Sequence, residues 1–178
     1  MLDSLITSKT RIKLLLKFFL NSDTKSYLRN LESEFGESTN AIRLELNRLE
    51  DAGLLQSSTD GNKKMFQANT RHPLYEDINS LVRKFVGIDR IIDNVISKIG
   101  DLKAAYITGK FAMGIDSRII DLILVGETLD RPAINQLVSK AEQFINRRIR
   151  FIIVGIEELR EITTETPVLL IWQKDNAE

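Results

Sequence analysis

The sequence has 178 residues with 43% hydrophobic side chains, enough for one average domain or two small ones with a packed core. Basic and acidic residues both number 25, so any attraction to nucleic acid must come from local patches. The absence of cysteine excludes disulfides and thiolate metal sites. The start lacks a signal peptide and no apolar run is long enough to span a membrane, so we expect a cytoplasmic protein without membrane contact.

The first part of the chain predicts three short helices. Ser8 or Thr10 can cap the first, the second runs from about Ser26 to Phe35, and Ser38 caps a third that ends at Gly53. Each helix carries apolar residues at helical spacing on one face. These residues are Ile12, Leu15, Leu16 and Phe19, then Leu28, Leu31 and Phe35, then Ile42, Leu46 and Leu49.

The outer face of the third helix carries Asn40, Arg43 and Asn47. Amide and guanidinium side chains at this spacing can reach base edges and phosphates in a major groove. A polar outer face is also what any solvent-exposed amphipathic helix shows, and this remains the alternative interpretation.

A β-hairpin is predicted directly after this helix. Leu54–Ser58 and Lys63–Ala68 can pair around a turn that contains Asp60 and Gly61, with Lys63 and Lys64 placed for contact with phosphates. Three helices followed by a hairpin resemble a winged helix-turn-helix of the ArsR-like kind over roughly the first 70 residues, which implies binding to double-stranded DNA. The DNA-binding residues expected from this resemblance are Ser38, Thr39, Asn40, Arg43, Asn47, Lys63 and Lys64.

A helical linker follows and carries an unusual amount of branched apolar surface. One helical pattern starts at Leu74, Gly87 interrupts it, and a second continues to Gly100. The second pattern contains a stripe of Ile88, Ile92, Val95 and Ile99. We expect this segment to contribute to a homodimer, since a surface helix would carry fewer apolar side chains.

Strands and helices alternate in the last part of the chain, which predicts a small α/β layer within an α+β protein. The predicted strands are Lys103–Thr108, Ile119–Val125, Ile149–Val154 and Val168–Trp172, with helices at Pro132–Ile145 and Glu157–Ile162. The domains are therefore expected at residues 1–70 (winged helix), 71–100 (helical linker and dimerisation element) and 101–178 (α/β domain).

Residues 108–126 resemble the minimal nucleotidyltransferase fold, in which a strand ends in Gly-Ser and the next strand carries Asp-x-Asp. In active members the resemblance implies carboxylates that hold two Mg²⁺ ions. Here Gly109 is followed by Lys110 instead of serine, and aligning Asp121 with the second aspartate puts Ile119 at the first. The third carboxylate is expected near Arg150, a residue of opposite sign.

We therefore expect this domain not to be an enzyme and to need no cofactor or metal. Asp121 should be a partly buried carboxylate paired with Arg150, Lys110 or backbone donors. The alternative is a retained, vestigial nucleotide site. Its residues would be Gly109, Lys110, Arg118 and Asp121.

Three functions are compatible with these features. The favoured one is a DNA-binding transcriptional regulator whose inactive nucleotidyltransferase-like domain serves dimerisation or the sensing of a small-molecule or nucleotide effector. The alternative is a nucleotidyltransferase or nucleotide-binding sensor with a partial site around Gly109 and Asp121. A third is a protein-interaction module without DNA binding.

Overall fold

The computed structural model describes residues 6–174 and shows a mixed α+β protein with two sheets. The chain divides into two compact units, unit 1 (Met1–Phe85) and unit 2 (Val86–Glu178). The boundary falls inside the predicted linker, so residues 71–85 belong to unit 1 and residues 86–100 to unit 2. Among the described helices, none combines the length and the apolar character that crossing a membrane requires.

Unit 1 combines helices with a three-stranded antiparallel sheet in the order β1-β3-β2. Its helices are α1 (Lys9–Phe19), α2 (Leu28–Phe35), α3 (Thr39–Asp51) and α4 (Tyr75–Val86), the last reaching the unit boundary. Its strands are β1 (Ser26–Tyr27), β2 (Leu55–Asp60) and β3 (Lys63–Ala68). The predicted second helix starts later than expected, because Ser26 and Tyr27 pair with Phe66 and Met65 of β3.

Local sequence signals account for the helix ends in unit 1. The hydroxyl oxygens of Ser8 and Ser38 each accept a hydrogen bond from the backbone N–H three residues on, at 3.2 Å. Gly36 ends α2 with a φ of +63°, a conformation in which glycine is favoured. The apolar faces predicted for the three helices are confirmed, since Ile12, Leu31 and Leu46 are among the buried residues.

Unit 1 also buries charged side chains between its helices. Lys17 of α1 lies 2.8 Å from Glu34 of α2, with side-chain exposures of 7% and 15%. Glu45 of α3 accepts hydrogen bonds from Arg11 Nε at 2.8 Å and from the Ser8 hydroxyl at 3.1 Å. Burial tends to raise the pKa of Glu45, but the hydrogen bonds from Arg11 and Ser8 outweigh it and leave that pKa below its usual 4.5.

Unit 2 contains a four-stranded sheet in the order β6-β5-β4-β7. Its strands are β4 (Ala104–Thr108), β5 (Ile119–Val125), β6 (Arg148–Val154) and β7 (Val168–Gln173). Strands β5 and β6 are parallel, while β4 is antiparallel to both β5 and β7. Its helices are α5 (Ile88–Asn94), α6 (Gly109–Ala112), α7 (Arg131–Glu142) and α8 (Ile156–Glu165), with a short 3-10 helix at Ile96–Lys98.

Three of the four residues in the isoleucine stripe that predicted a homodimer belong to the core of unit 2, and Ile92 is partly exposed. Ile88 and Val95 have no exposed surface, and Ile99 is 9% exposed. The predicted helix to Gly100 also breaks, because α5 ends at Asn94 and the chain continues as a 3-10 helix. The unit's own chain covers these three residues, so the apolar character of the stripe does not by itself indicate a dimer interface.

Candidate functional site

Three polar side chains lie side by side at one end of the unit 2 sheet. Antiparallel pairing puts Thr108 of β4 opposite Asp121 of β5, and parallel pairing puts Arg150 of β6 on the other side of Asp121. Residues in register on neighbouring strands point to the same face of a sheet. The chain leaves β4 directly after Thr108, so Gly109 lies beside these side chains.

The carboxylate of Asp121 is held between Arg150 and Gly109. Nε and Nη2 of Arg150 both lie 2.7 Å from Asp121 Oδ1. Gly109 has a φ of +66°, and a Cβ placed on it would lie 2.9 Å from Asp121 Oδ2, so a glycine leaves room for the carboxylate. The predicted pairing of Asp121 with Arg150 is confirmed. The side chains are 26% and 67% exposed, so the pair is open to solvent.

The other two residues of the predicted vestigial site lie differently. Lys110 is exposed next to Gly109. Arg118 lines a cavity of about 740 Å³ together with Glu142, Arg147 and Arg148. The structure therefore brings Gly109 and Asp121 together, with Lys110 adjacent in the chain. Arg118 instead lines the cavity of about 740 Å³.

Arg147 anchors the segment that connects α6 with β5, a role the sequence did not reveal. Its Nη1 donates to Asp116 Oδ1 at 2.7 Å and also to the carbonyl oxygen of Ser117. Its guanidinium lies 5.0 Å from the ring centroid of Phe111. Since these partners are about thirty residues away in the chain, only the pairing of β5 with β6 brings them to Arg147.

The side chains at the sheet end do not fit a pair of Mg²⁺ ions. Asp121 contributes a single carboxylate, and its Oδ1 already accepts from Arg150. Within residues 6–174, no cluster of three or more histidine, cysteine, aspartate or glutamate side chains could hold a metal ion. Each Mg²⁺ needs near-octahedral oxygen ligation with carboxylates among its ligands. One carboxylate that is already hydrogen-bonded to Arg150 cannot supply these ligands to two ions.

The residues predicted to bind DNA lie on the surface of unit 1. Ser38 caps α3 and Thr39 is its first residue. Asn40, Arg43 and Asn47 are exposed on the same helix, and Arg43 Nη1 donates to Asn40 Oδ1 at 3.4 Å.

The two predicted phosphate-binding lysines differ in their partners. Lys64 Nζ lies 2.6 Å from Glu50 Oε2 and 5.1 Å from the ring centroid of Phe66. Lys63 Nζ lies 4.6 Å from the ring centroid of Tyr27. Both lysines line a cavity of about 480 Å³. The full lining is Tyr27, Leu28, Arg29, Arg43, Leu46, Asn47, Asn62, Lys63, Lys64 and Phe66.

No protein-family model and no curated protein matches the chain. Among solved structures, a toxin–antitoxin protein with AMP-PNP matches at a TM-score of 0.41 and 18% identity, over 49% of this chain and 74% of its own. A mutant of the toxin–antitoxin MntA-HpeT matches at 0.39 and 20%, over 49% and 72%. A candidate nucleotidyltransferase from Sulfolobus solfataricus matches at 0.38 and 22%, over 56% and 88%.

These similarities correct two expectations from the sequence. We expected a DNA-binding transcriptional regulator and not an enzyme, whereas the similar structures are toxin–antitoxin proteins and a candidate nucleotidyltransferase. The alternative, a nucleotidyltransferase or nucleotide-binding sensor, agrees better with them. All three likenesses are distant, so the side chains of the site itself decide which chemistry is available.

Proposed function

We propose that unit 2 is a nucleotidyltransferase-like domain that binds a nucleoside triphosphate at the end of its sheet. The binding residues are Gly109, Lys110, Asp121 and Arg150, which we call the triphosphate cluster. The observation that carries the proposal is the register of Asp121 and Arg150 beside the turn at Gly109. It places an exposed arginine, an exposed lysine and a backbone without a side chain at one point of the surface.

Each member of the cluster has a distinct role. Lys110 and Arg150 supply the positive charge that phosphate oxygens require, and the planar guanidinium of Arg150 can donate two hydrogen bonds at once. Gly109 leaves room for the carboxylate of Asp121, because a Cβ at this position would lie 2.9 Å from Asp121 Oδ2. Asp121 is a positioning residue, since its bond to Arg150 fixes the guanidinium at the sheet end.

Asp121 also sets a limit on affinity. Its negative charge lies next to the position of the phosphates and repels them. The cluster should therefore bind triphosphates moderately. Replacing Asp121 by a neutral residue that keeps a hydrogen-bond acceptor should strengthen triphosphate binding.

We also propose a winged helix-turn-helix fold for residues 1–70 and a nucleotidyltransferase-like domain at 101–178, joined by a helical segment at 71–100 that is divided between the two units after Phe85. The succession of α2, α3 and the β2–β3 hairpin supports this assignment of the fold. A nucleotide is then the effector that we expect for unit 2.

Calorimetric titration of the full chain with ATP, GTP, CTP and UTP tests the proposed function. We expect saturable binding of at least one triphosphate that Lys110→Ala and Arg150→Ala each weaken about tenfold, which corresponds to about 1.4 kcal/mol. Lys140→Ala removes an exposed lysine of α7 outside the cluster and serves as the matched control. It should bind like the unaltered protein.

The same mixtures test whether the protein transfers nucleotidyl groups. Each triphosphate is incubated with the protein and candidate acceptors, and released pyrophosphate and labelled product are followed by mass spectrometry. Turnover that depends on Lys110 would extend the function from binding to nucleotidyl transfer. Absence of saturable binding for all four triphosphates, or equal binding by Arg150→Ala, would contradict the proposal.

A further inference from the structure

The cavity of about 480 Å³ in unit 1 plays no part in the proposed function, and its lining is rich in basic side chains. We call it the unit 1 cavity. Four of the residues that line it are cations, namely Arg29, Arg43, Lys63 and Lys64, and its lining contains no aspartate or glutamate. Since the whole chain has equal numbers of basic and acidic residues, this is a strong local excess of positive charge.

Pairing with neighbouring carboxylates reduces this excess only in part. Lys64 is paired with Glu50 at 2.6 Å. Within residues 6–174, the structure shows no ion pair for the other three lining cations. Arg29, Arg43 and Lys63 are exposed at the rim. Their mutual repulsion is relieved by binding an anion.

The floor of the cavity is apolar. It includes Leu46 and Phe66, which are 1% and 4% exposed and belong to the core of unit 1. The ring of Tyr27 forms part of the wall and lies 4.6 Å from Lys63 Nζ. Two amides, Asn47 and Asn62, complete the lining and can donate and accept hydrogen bonds.

This combination defines the chemistry of the ligand. An apolar floor with an aromatic wall suits a planar ring system, and cations at the rim suit one anionic group attached to it. A volume of about 480 Å³ holds a molecule of nucleotide size. A DNA duplex lays its phosphates along an open surface, and the flat faces of its bases are stacked inside the helix, where they cannot pack on such a floor.

We propose that the unit 1 cavity binds a small aromatic anion, a planar ring system carrying one phosphate. The ring packs against Tyr27, above the apolar floor. The phosphate is held by Arg43 and Lys63. Asn47 and Asn62 hydrogen-bond the polar edge of the ring. This site is independent of the triphosphate cluster in unit 2.

Riboflavin 5′-phosphate is a suitable probe, because its ring is fluorescent and quenched on stacking. We expect saturable quenching by the full-length protein. Arg43→Ala combined with Lys63→Ala should weaken binding at least tenfold, and riboflavin without the phosphate should bind at least tenfold more weakly. Arg71→Ala, which removes an exposed arginine of unit 1 outside the cavity, should stay within twofold.

Variants in unit 2 separate this site from the proposed function. Lys110→Ala with Arg150→Ala should leave the quenching unchanged, and amide spectra should show shifts at the side chains of Asn47 and Asn62 and not at Gly109. Because Arg43 and Lys63 are exposed, their truncation leaves the core intact, which thermal unfolding verifies.

Four outcomes would overturn the proposal. These are no saturable quenching, unchanged binding by the Arg43 and Lys63 double variant, equal competition by inorganic phosphate alone, and Arg43-dependent retention of a 20-base-pair duplex that riboflavin 5′-phosphate does not displace. The third outcome would leave only a general anion patch, and the fourth would assign the surface to nucleic acid.

Discussion

Two cavities in the described part of the chain carry several arginines or lysines, and they differ in what faces those cations. In unit 2, Arg147 is paired with Asp116 at 2.7 Å and Arg148 with Glu142 at 3.0 Å. In unit 1, Lys64 is paired with Glu50 from outside the lining, and the other three lining cations have no ion pair among the described residues. The difference separates two uses of positive charge. Paired cations fix the chain, whereas cations without a counter-charge are free to bind an anion from solution.

The triphosphate cluster lies between these extremes. Arg150 is paired with Asp121, yet its side chain is 67% exposed and its neighbour Lys110 is also exposed. One part of the guanidinium holds the sheet end, and the remaining donors can reach a ligand. Substitutions that change pairing should therefore affect stability in unit 2 and affinity in unit 1.

The largest effect is expected for Arg147→Met. Its side chain is only 14% exposed, and the substitution removes hydrogen bonds to Asp116 and Ser117, so unit 2 should lose about 2–3 kcal/mol. Arg43→Met removes an exposed arginine of unit 1 and should change stability by less than about 0.5 kcal/mol. Urea unfolding followed by the fluorescence of Trp172 reports on unit 2, and amide signals of Gly36 and Gly61 report on unit 1. Equal losses of unfolding free energy in the two variants would contradict the distinction between paired and unpaired cations.

Glycine substitutions give the next largest effect. Both Gly109 and Gly61 have positive φ, at +66° and +59°, so alanine costs about 1 kcal/mol in backbone strain at either position. At Gly109 the new Cβ would also meet Asp121 Oδ2 at 2.9 Å, whereas at Gly61 it meets nothing within 4 Å. We expect Gly109→Ala to be about 1–2 kcal/mol more destabilising than Gly61→Ala in urea unfolding. Similar losses would show that the carboxylate moves aside easily.

Removing the carboxylate that pairs with Lys64 should strengthen anion binding in unit 1. Glu50→Gln releases Lys64 from its ion pair and removes one negative charge beside the unit 1 cavity. Riboflavin 5′-phosphate should then bind about threefold more tightly, an effect of about 0.65 kcal/mol. Fluorescence titration measures it, and an unchanged or weaker affinity would contradict the assigned electrostatics.

The smallest effect is a pH dependence of unit 1. The pKa of Glu45 is lowered in the folded protein, so its pairing stabilises unit 1 above pH 4.5 and this contribution is lost as the pH falls below that value. Unfolding between about pH 6 and about pH 3.5 should show stability falling with acid, and Glu45→Gln should flatten that slope. Glu76→Gln, an exposed carboxylate of α4, should leave it unchanged. A slope unaffected by Glu45→Gln would contradict the assignment.

Helices and strands were largely predictable because their apolar residues follow simple periods. The resemblance to the nucleotidyltransferase fold predicted that Asp121 and Arg150 would be neighbours, and β5 and β6 pair in that register. The isoleucine stripe between Ile88 and Ile99 predicted a dimer, but the unit's own chain covers most of the stripe, and the homodimer stays a prediction. Periodicity shows which face is apolar, but it does not show whether the same chain or a second copy covers that face.

The unit 1 cavity was not predictable from the sequence. Tyr27 and Lys63 meet because the two-residue strand β1 pairs with β3, and a strand that short leaves no periodic signal. The sequence identified Arg43, Lys63 and Lys64 as one basic surface, but not the apolar floor of Leu46 and Phe66 beneath it. Burial of that floor depends on long-range packing.

The most direct test of the central claim is the affinity of Asp121→Asn for ATP in the absence of divalent metal. Asparagine keeps an acceptor for Arg150 and removes the negative charge beside the phosphates. We therefore predict binding about threefold to tenfold tighter than in the unaltered protein, with binding by Lys110→Ala weaker. Unchanged or lost ATP binding in Asp121→Asn would contradict the account, because it would show that the negative charge of Asp121 does not oppose the phosphates.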